Sequence, residues 1–155
     1  MLATESMLWT VDDIPLLDDF PEGYRYEASE GVLEVTPPPE LGHEFTAELL
    51  QDQLRAQLPA QWRVSTGLAV RTKTGFRVPD LVVRMAATRQ PGTARWIPAD
   101  EVAVAVEVES PTGLRRDRET KRDEYDEIGI ASYWRVGAAT DARGRCVRAR
   151  WRLIP

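Results

Sequence analysis

At 155 residues, 43% apolar and 29% charged, the chain has the size and composition of one globular domain spanning residues 1–155. It has no run of about 18 apolar residues, and residues 1–13 lack the basic start and apolar core of a secretory signal; neither a membrane span nor export is expected, and the single Cys146 excludes an internal disulfide and a cysteine-based zinc cluster and fits a reducing compartment, the cytoplasm. A formal charge of −5 argues against salt-driven nonspecific nucleic-acid binding over the whole surface, while leaving room for a local basic patch and for acids gathered at a metal site.

Thr10-Val-Asp-Asp13 has the form of a capping box with Asp in place of Glu and predicts a short helix over about Val11 to Asp18; an irregular acidic lead-in fits the same residues. After Pro21 and Gly23, Tyr24–Ala28 and Val32–Thr36 alternate like two strands around a Ser29-Glu30-Gly31 turn. Pro37-Pro-Pro39 stops the second. Leu41 to Leu58 reads as the longest helix, with Leu41, Phe45, Leu49, Leu50, Leu54 and Leu58 forming an apolar stripe. Trp62 to Arg71 reads as one strand with Trp62, Val64, Thr66, Leu68 and Val70 on one side. Thr74-Gly75 then turns the chain into a strand over Phe76–Val83. Met85 to Ala99, with Pro91, Gly92 and Pro98, has neither period and is expected to be a loop.

Val102 to Glu109 alternates Val102, Val104, Val106 and Val108 against Ala103, Ala105, Glu107 and Glu109. Ser110-Pro-Thr-Gly113 breaks that strand, a helix follows over about Arg116 to Ile128, and Gly129 ends it. Ile130–Val136 and Arg145–Leu153 are the last predicted strands. The resulting order, α-β-β-α-β-β-β-α-β-β, predicts an α/β fold with a mixed central sheet flanked by helices.

An apolar strand that is buried on both faces has no cheap place for carboxylates, because a buried ion needs a metal or other cations to compensate it. Glu107 and Glu109, together with Asp80 after Pro79 at the neighbouring strand, therefore form a candidate divalent-cation site. The same residues also fit a structural role: Glu107 and Glu109 reaching solvent or pairing with Arg115, Arg116 or Arg118, and Asp80 serving as a turn residue. On the second helix Leu114, Asp117, Lys121, Tyr125 and Ile128 share one face. That face must be the buried one, so Lys121 points to the core, either as a catalytic ammonium or in an ion pair with Asp117 or Glu107. Glu34, opposite Leu33 and Val35, joins the acids if its face meets the helix and is otherwise an exposed strand residue. His43, at the start of the long helix, is either a proton shuttle or a polar first-turn residue. Arg115, Arg116 and Arg118, with Lys121 and Arg122, form a basic run suited to a nucleic-acid backbone.

Pro79-Asp80 followed by Glu107-Val-Glu109 resembles the PD-(D/E)XK nuclease superfamily. The ordered set Tyr26-Glu27, Gly31-Val-Leu-Glu34, Val78-Pro-Asp80-Leu-Val-Val83, Val106-Glu-Val-Glu-Ser-Pro111, Asp117-Arg-Glu-Thr-Lys121, Tyr125 and Gly129-Ile-Ala-Ser-Tyr-Trp134 more closely resembles the Uma-two family of restriction endonucleases, from about Thr10 to Val136. The resemblance implies a restriction-endonuclease-like fold and Mg²⁺- or Mn²⁺-dependent cleavage of nucleic acid, DNA above all. It places metal ligands at Asp80 and Glu107, with Glu34 as a further acid. The lysine of the E-x-K motif is replaced by Glu109, and the family's migrated lysine matches Lys121; Glu109 is then either a ligand or a general base. The chain ends at Pro155, earlier than typical relatives, so a final strand and helix are expected to be missing or replaced.

In the mechanism this implies, Asp80 and Glu107, with the Val108 carbonyl, hold the ion, Glu34 supports it, and Lys121 orients the attacking water with help from Asp117. The Arg115–Arg118 run holds flanking phosphates. Duplex cleavage calls for two active sites, so a homodimer is expected, with Trp96, Trp134 and Trp151 available either to its interface or to the core. The rival readings are a catalytically inactive binding or assembly module that keeps the nuclease fold, and a metal-dependent phosphodiesterase acting on a small nucleotide.

Overall fold

The computed structural model describes residues 8–86, 95–109, 115–137 and 151–154, with side chains in all of these except 115–118 and 151–154. The lead-in is a 3₁₀ helix, Val11–Asp19, closed by the expected box: Asp12 N–H donates to Thr10 Oγ1 and Thr10 N–H donates to Asp13 Oδ2. Strands β1 (Arg25–Ser29) and β2 (Val32–Thr36) pair antiparallel through a two-residue turn. Both turn residues have positive φ, 52° at Glu30 and 75° at Gly31, the primed geometry that matches strand twist. Helix α1 is Leu41–Gln57.

The two long middle strands expected from the sequence each break in two. The first divides into β3 (Trp62–Ser65) and β4 (Ala69–Arg71), the second into β5 (Phe76–Arg77) and β6 (Leu81–Met85). Gly67, at φ +63°, turns the chain in the first gap. Pro79, which has no N–H to give a ladder, lies in the second. The pieces pair two by two on either side of the breaks: β4 runs antiparallel to β5, and β3 antiparallel to β6. They belong to different sheets, so the expected mixed α/β architecture is built from two five-stranded sheets. The first has the order β2-β1-β5-β4-β7, with β7 at Trp96–Ile97, and the second β10-β9-β8-β6-β3, with β8 at Val102–Val108, β9 at Ser132–Val136 and β10 at Trp151–Ile154. Strand β7 lies within the expected loop and adds parallel to β4.

Strand β8 (Val102–Val108) sits at the centre of the second sheet, antiparallel to β6 and parallel to β9 (Ser132–Val136), with β10 (Trp151–Ile154) beyond. Helix α2 (Arg115–Glu127) connects β8 to β9, and Gly129 follows it at φ +77° as expected. The register slips between Val83 and Arg84, which face Val104 and Val102, leaving Ala103 as a bulge. The bulge reverses the alternation. Val102 clusters with Ala105, Tyr125 and Tyr133, whereas Val104 and Val106 pack with Leu50, Leu81 and Val83. Downstream of the bulge the predicted faces hold, and Glu107 lies on the α2 side.

Helix α1 buries Thr46 and Leu50, with Leu54 and Leu58 packed alongside. Leu41, Phe45 and Leu49, expected in the same buried stripe, are exposed. The inward face instead runs His43–Thr46–Leu50–Leu54, which aims His43 towards Asp80. Trp134 packs against the α1-side core and Trp96 against the cluster under the first 3₁₀ helix, with the Arg71 guanidinium 4.4 Å from the Trp96 ring centroid. Both are thus core-packing residues; the Trp151 side chain lies outside the described residues. Among the described residues no helix is long and apolar enough to cross a membrane.

Candidate active site

The break before β6 delivers Asp80 to the place where the two sheets meet. Its side chain is 2% exposed, and donors surround it. Val108 N–H, at the end of β8, donates to Oδ2 at 2.6 Å, His43 Nε2 approaches the same oxygen at 3.2 Å, and Arg25 of β1 grips Oδ1. Burial alone would raise this carboxyl, but the His43 contact, the Arg25 charge and the Val108 N–H together hold it below the ordinary carboxylate value.

Glu107 is also buried. Lys121 Nζ of α2 donates to its Oε1 at 3.3 Å and the Tyr125 hydroxyl donates to the same atom at 3.1 Å, while Arg25 Nη1 lies 3.7 Å from Oε2. Here burial wins: it pushes the carboxyl up to about 7, with Asp80 and Glu27 pushing the same way against the pull of Lys121 and Arg25. Burial and the neighbouring Glu107 likewise push the Tyr125 hydroxyl well up. Lys121 is turned inward, as its place on the Tyr125 face of α2 predicts.

A second acid meets Lys121, and sequence reasoning did not single it out as a site residue. Glu27 of β1, only 3% exposed, lies with Oε2 3.0 Å from Lys121 Nζ and accepts from Val78 N–H at 2.9 Å through Oε1. Glu27 and Glu34 are cross-strand partners. The fully buried Arg77 stands between their carboxylates, 3.5 Å from Glu27 and in contact with Glu34 and Glu124. The described contacts of Glu34 go to Arg77, and its side chain is 43% exposed; the acid beside Lys121 is Glu27. Glu109 pairs with Arg135 of β9 rather than with Lys121. Arg115, Arg116, Asp117 and Arg118 open α2, but their side chains lie outside the described residues.

Arg25 and Arg77 were not singled out from the sequence, and Glu27 entered only as part of the Tyr26-Glu27 motif. One signal was available: in the Arg25–Ser29 strand, Arg25 and Glu27 share a face by alternation. That face proves to be the one that meets Asp80, Glu107 and Lys121.

Five carboxylates (Asp80, Glu107, Glu27, Glu34, Glu124) thus interlock with three cations (Arg25, Lys121, Arg77). Arg25, Asp80 and His43 line a cavity of about 690 Å³ that opens between α1 and the first 3₁₀ helix, with Tyr24, Glu44 and Arg95 also on its wall. Glu107 and Lys121 are not among the lining residues; Arg25 connects Glu107 to it.

Could a divalent ion sit here? Among the described residues no three His, Cys, Asp or Glu side chains gather closely enough to hold one. Two carboxylates do converge, and a cation, the Arg25 guanidinium, already bridges Asp80 Oδ1 and Glu107 Oε2. Mg²⁺ is commonly held by one or two carboxylates with water and substrate phosphate completing its shell. The donor set at Asp80 and Glu107 fits that pattern.

The Uma2 family model, described as "Putative restriction endonuclease", matches residues 11–147. No curated protein matches. Among solved structures, the chain is similar to a putative nuclease belonging to DUF820 from Anabaena variabilis ATCC 29413, at TM-score 0.66 and 18% identity over 83% of this chain and 73% of that one. It also aligns with E. coli MS115-1 NucC in its apo form, at TM-score 0.39 and 18% identity over 74% of this chain and 52% of that one.

Proposed function

The chain belongs to the Uma2 restriction-endonuclease family and has a restriction-endonuclease-like fold; from that premise we propose that it is a metal-dependent endonuclease hydrolysing phosphodiester bonds of DNA, with Asp80 and Glu107 as its metal ligands and Lys121 as its catalytic cation. The observation that carries this reading is that Asp80, from the break before β6, and Glu107 of β8 are bridged by one guanidinium, with the inward Lys121 of the connecting helix on Glu107. A bound Mg²⁺ or Mn²⁺ would activate water and offset charge at the scissile phosphate.

The chain's own residues supply the rest. Val108 N–H and His43 fix the rotamer of Asp80 and keep it ionised. Tyr125 and Lys121 fix Glu107. Lys121, held between Glu27 and Glu107, is positioned to orient an attacking water and to meet negative charge developing on a phosphate. Glu27 takes the supporting part that the resemblance implies for Glu34, with Arg77 tying the two acids together. Glu34 remains a candidate outer acid and Glu109 a candidate base. The basic start of α2, Arg115, Arg116 and Arg118, supplies phosphate contacts, and a homodimer would present two such sites to a duplex.

One observation favours a non-catalytic binding module: every side-chain oxygen of Asp80 and Glu107 already has a protein cation or donor near it. The test is incubation of the purified chain with supercoiled plasmid, single-stranded RNA and a cyclic dinucleotide, each with Mg²⁺, Mn²⁺ or EDTA. The expected result is nicking of the plasmid with either metal and none in EDTA or with Asp80→Asn. Hydrolysis of the dinucleotide alone would point to the small-nucleotide phosphodiesterase, and inertness on all three substrates to the module.

A further inference from the structure

Arg25 occupies the space between the two acids. Its Nη2 is paired with Asp80 Oδ1 and its Nη1 faces Glu107 Oε2 at 3.7 Å. The remaining oxygens are taken by groups that cannot withdraw easily: a β8 backbone N–H and His43 on Asp80 Oδ2, and the buried Lys121 and Tyr125 on Glu107 Oε1. Arg25 differs from these. Its side chain is 25% exposed and lines the cavity, which leaves it open space to move into. A long guanidinium on a flexible stem can leave; a strand N–H cannot.

We propose that Arg25 is an exchangeable latch, a built-in cation that competes with a divalent metal for Asp80 Oδ1 and Glu107 Oε2 and swings into the cavity when the metal takes them. This rests on the metal-site reading above and deepens it. Two like charges cannot share the pocket between these oxygens in a low-dielectric setting, so metal entry requires guanidinium exit. In the cavity the freed fork has the planar, bidentate shape that suits a phosphate, beside Arg95 on the same wall. The latch makes metal affinity lower than the two carboxylates alone would give, and it couples metal binding to the appearance of a phosphate-binding cation.

The test is calorimetric titration of Mn²⁺ into wild type, Arg25→Gln, Arg25→Lys and Asp80→Asn, with circular dichroism of each as a check on folding. Arg25→Gln should bind Mn²⁺ roughly tenfold more tightly than wild type. Arg25→Lys, whose single ammonium cannot span both carboxylates, should fall between them. If Arg25→Gln proves unfolded, Arg25→Lys carries the comparison alone. Saturable Mn²⁺ binding that Asp80→Asn abolishes but neither Arg25 variant strengthens would overturn the latch and leave the metal site standing. No saturable binding in wild type or in either Arg25 variant would remove the metal site and the latch together.

Discussion

Glu107 has Lys121, Tyr125 and Arg25 for neighbours, and still burial pushes it up to about 7. The sign of the consequence for stability follows. Between roughly pH 4.5 and 7 the folded chain keeps a proton here that the unfolded chain has released, so this residue makes stability fall as pH rises through that window. Asp80 runs the other way in a lower window. Its depressed value gives stability that is complete above its ordinary value of 3.8 and lost as pH falls below it. Urea midpoints measured near about pH 5 and about pH 8 should therefore drop more in wild type than in Glu107→Gln. Equal drops would show Glu107 to be ionised across the whole range. At this scale sequence spacing revealed Lys121, because the i, i+4 step to Tyr125 forces both onto one face. It did not reveal Arg25 or Arg77, because alternation says that a strand residue has a face without saying what covers it.

Most elements were legible from turn chemistry and period. The capping box, the Glu30-Gly31 hairpin, α1, α2 and β9 form where capping residues, glycines and apolar spacing put them. The failure was at two strands that change sheet. Alternation continues through Thr66-Gly67-Leu68 and through Val78-Pro79-Asp80 as if nothing happened, so periodicity cannot register the bend. Nor can it register the Ala103 bulge. Yet these breaks make the site: Asp80 meets Val108 and Arg25 only because the second strand leaves one sheet for the other. Gly75, just before that strand, allows its close approach to β1. A Cβ there would lie 2.2 Å from the Ala28 carbonyl oxygen of β1, in a strand pair held by Ala28 against Phe76. A backbone atom cannot step aside, so Gly75→Ala should cost about 1–3 kcal/mol by overpacking and pull β1, with Arg25 and Glu27, off the site. Gly67→Ala meets open space and should cost only the left-handed backbone penalty, about 1–2 kcal/mol. Urea unfolding read beside plasmid cleavage distinguishes them: Gly75→Ala should lose cleavage and stability together, Gly67→Ala stability first. Equal effects on cleavage would mean that the β1–β5 approach does not position the site.

For the whole molecule, a formal charge of −5 coexists with a site in which acids outnumber cations, so a divalent ion would relieve local as well as global charge. The exposed Leu41, Phe45 and Leu49 of α1 correct the expectation of a fully buried stripe: a helix with apolar residues on two adjoining faces can bury only the one that meets the sheet. The family was legible because Pro79-Asp80, Glu107 and Lys121 keep their order along the chain. The support around them was not, because it comes from β1 and β5, which reach the site only through the fold. The most direct test is a crystal of the chain grown with Mn²⁺ at a concentration that supports plasmid cleavage, read by anomalous scattering at the manganese edge. The expected result is one strong peak touching carboxylate oxygens of both Asp80 and Glu107, with Lys121 Nζ beside it. A peak elsewhere, or none between those two residues while DNA is being cut, would contradict the account.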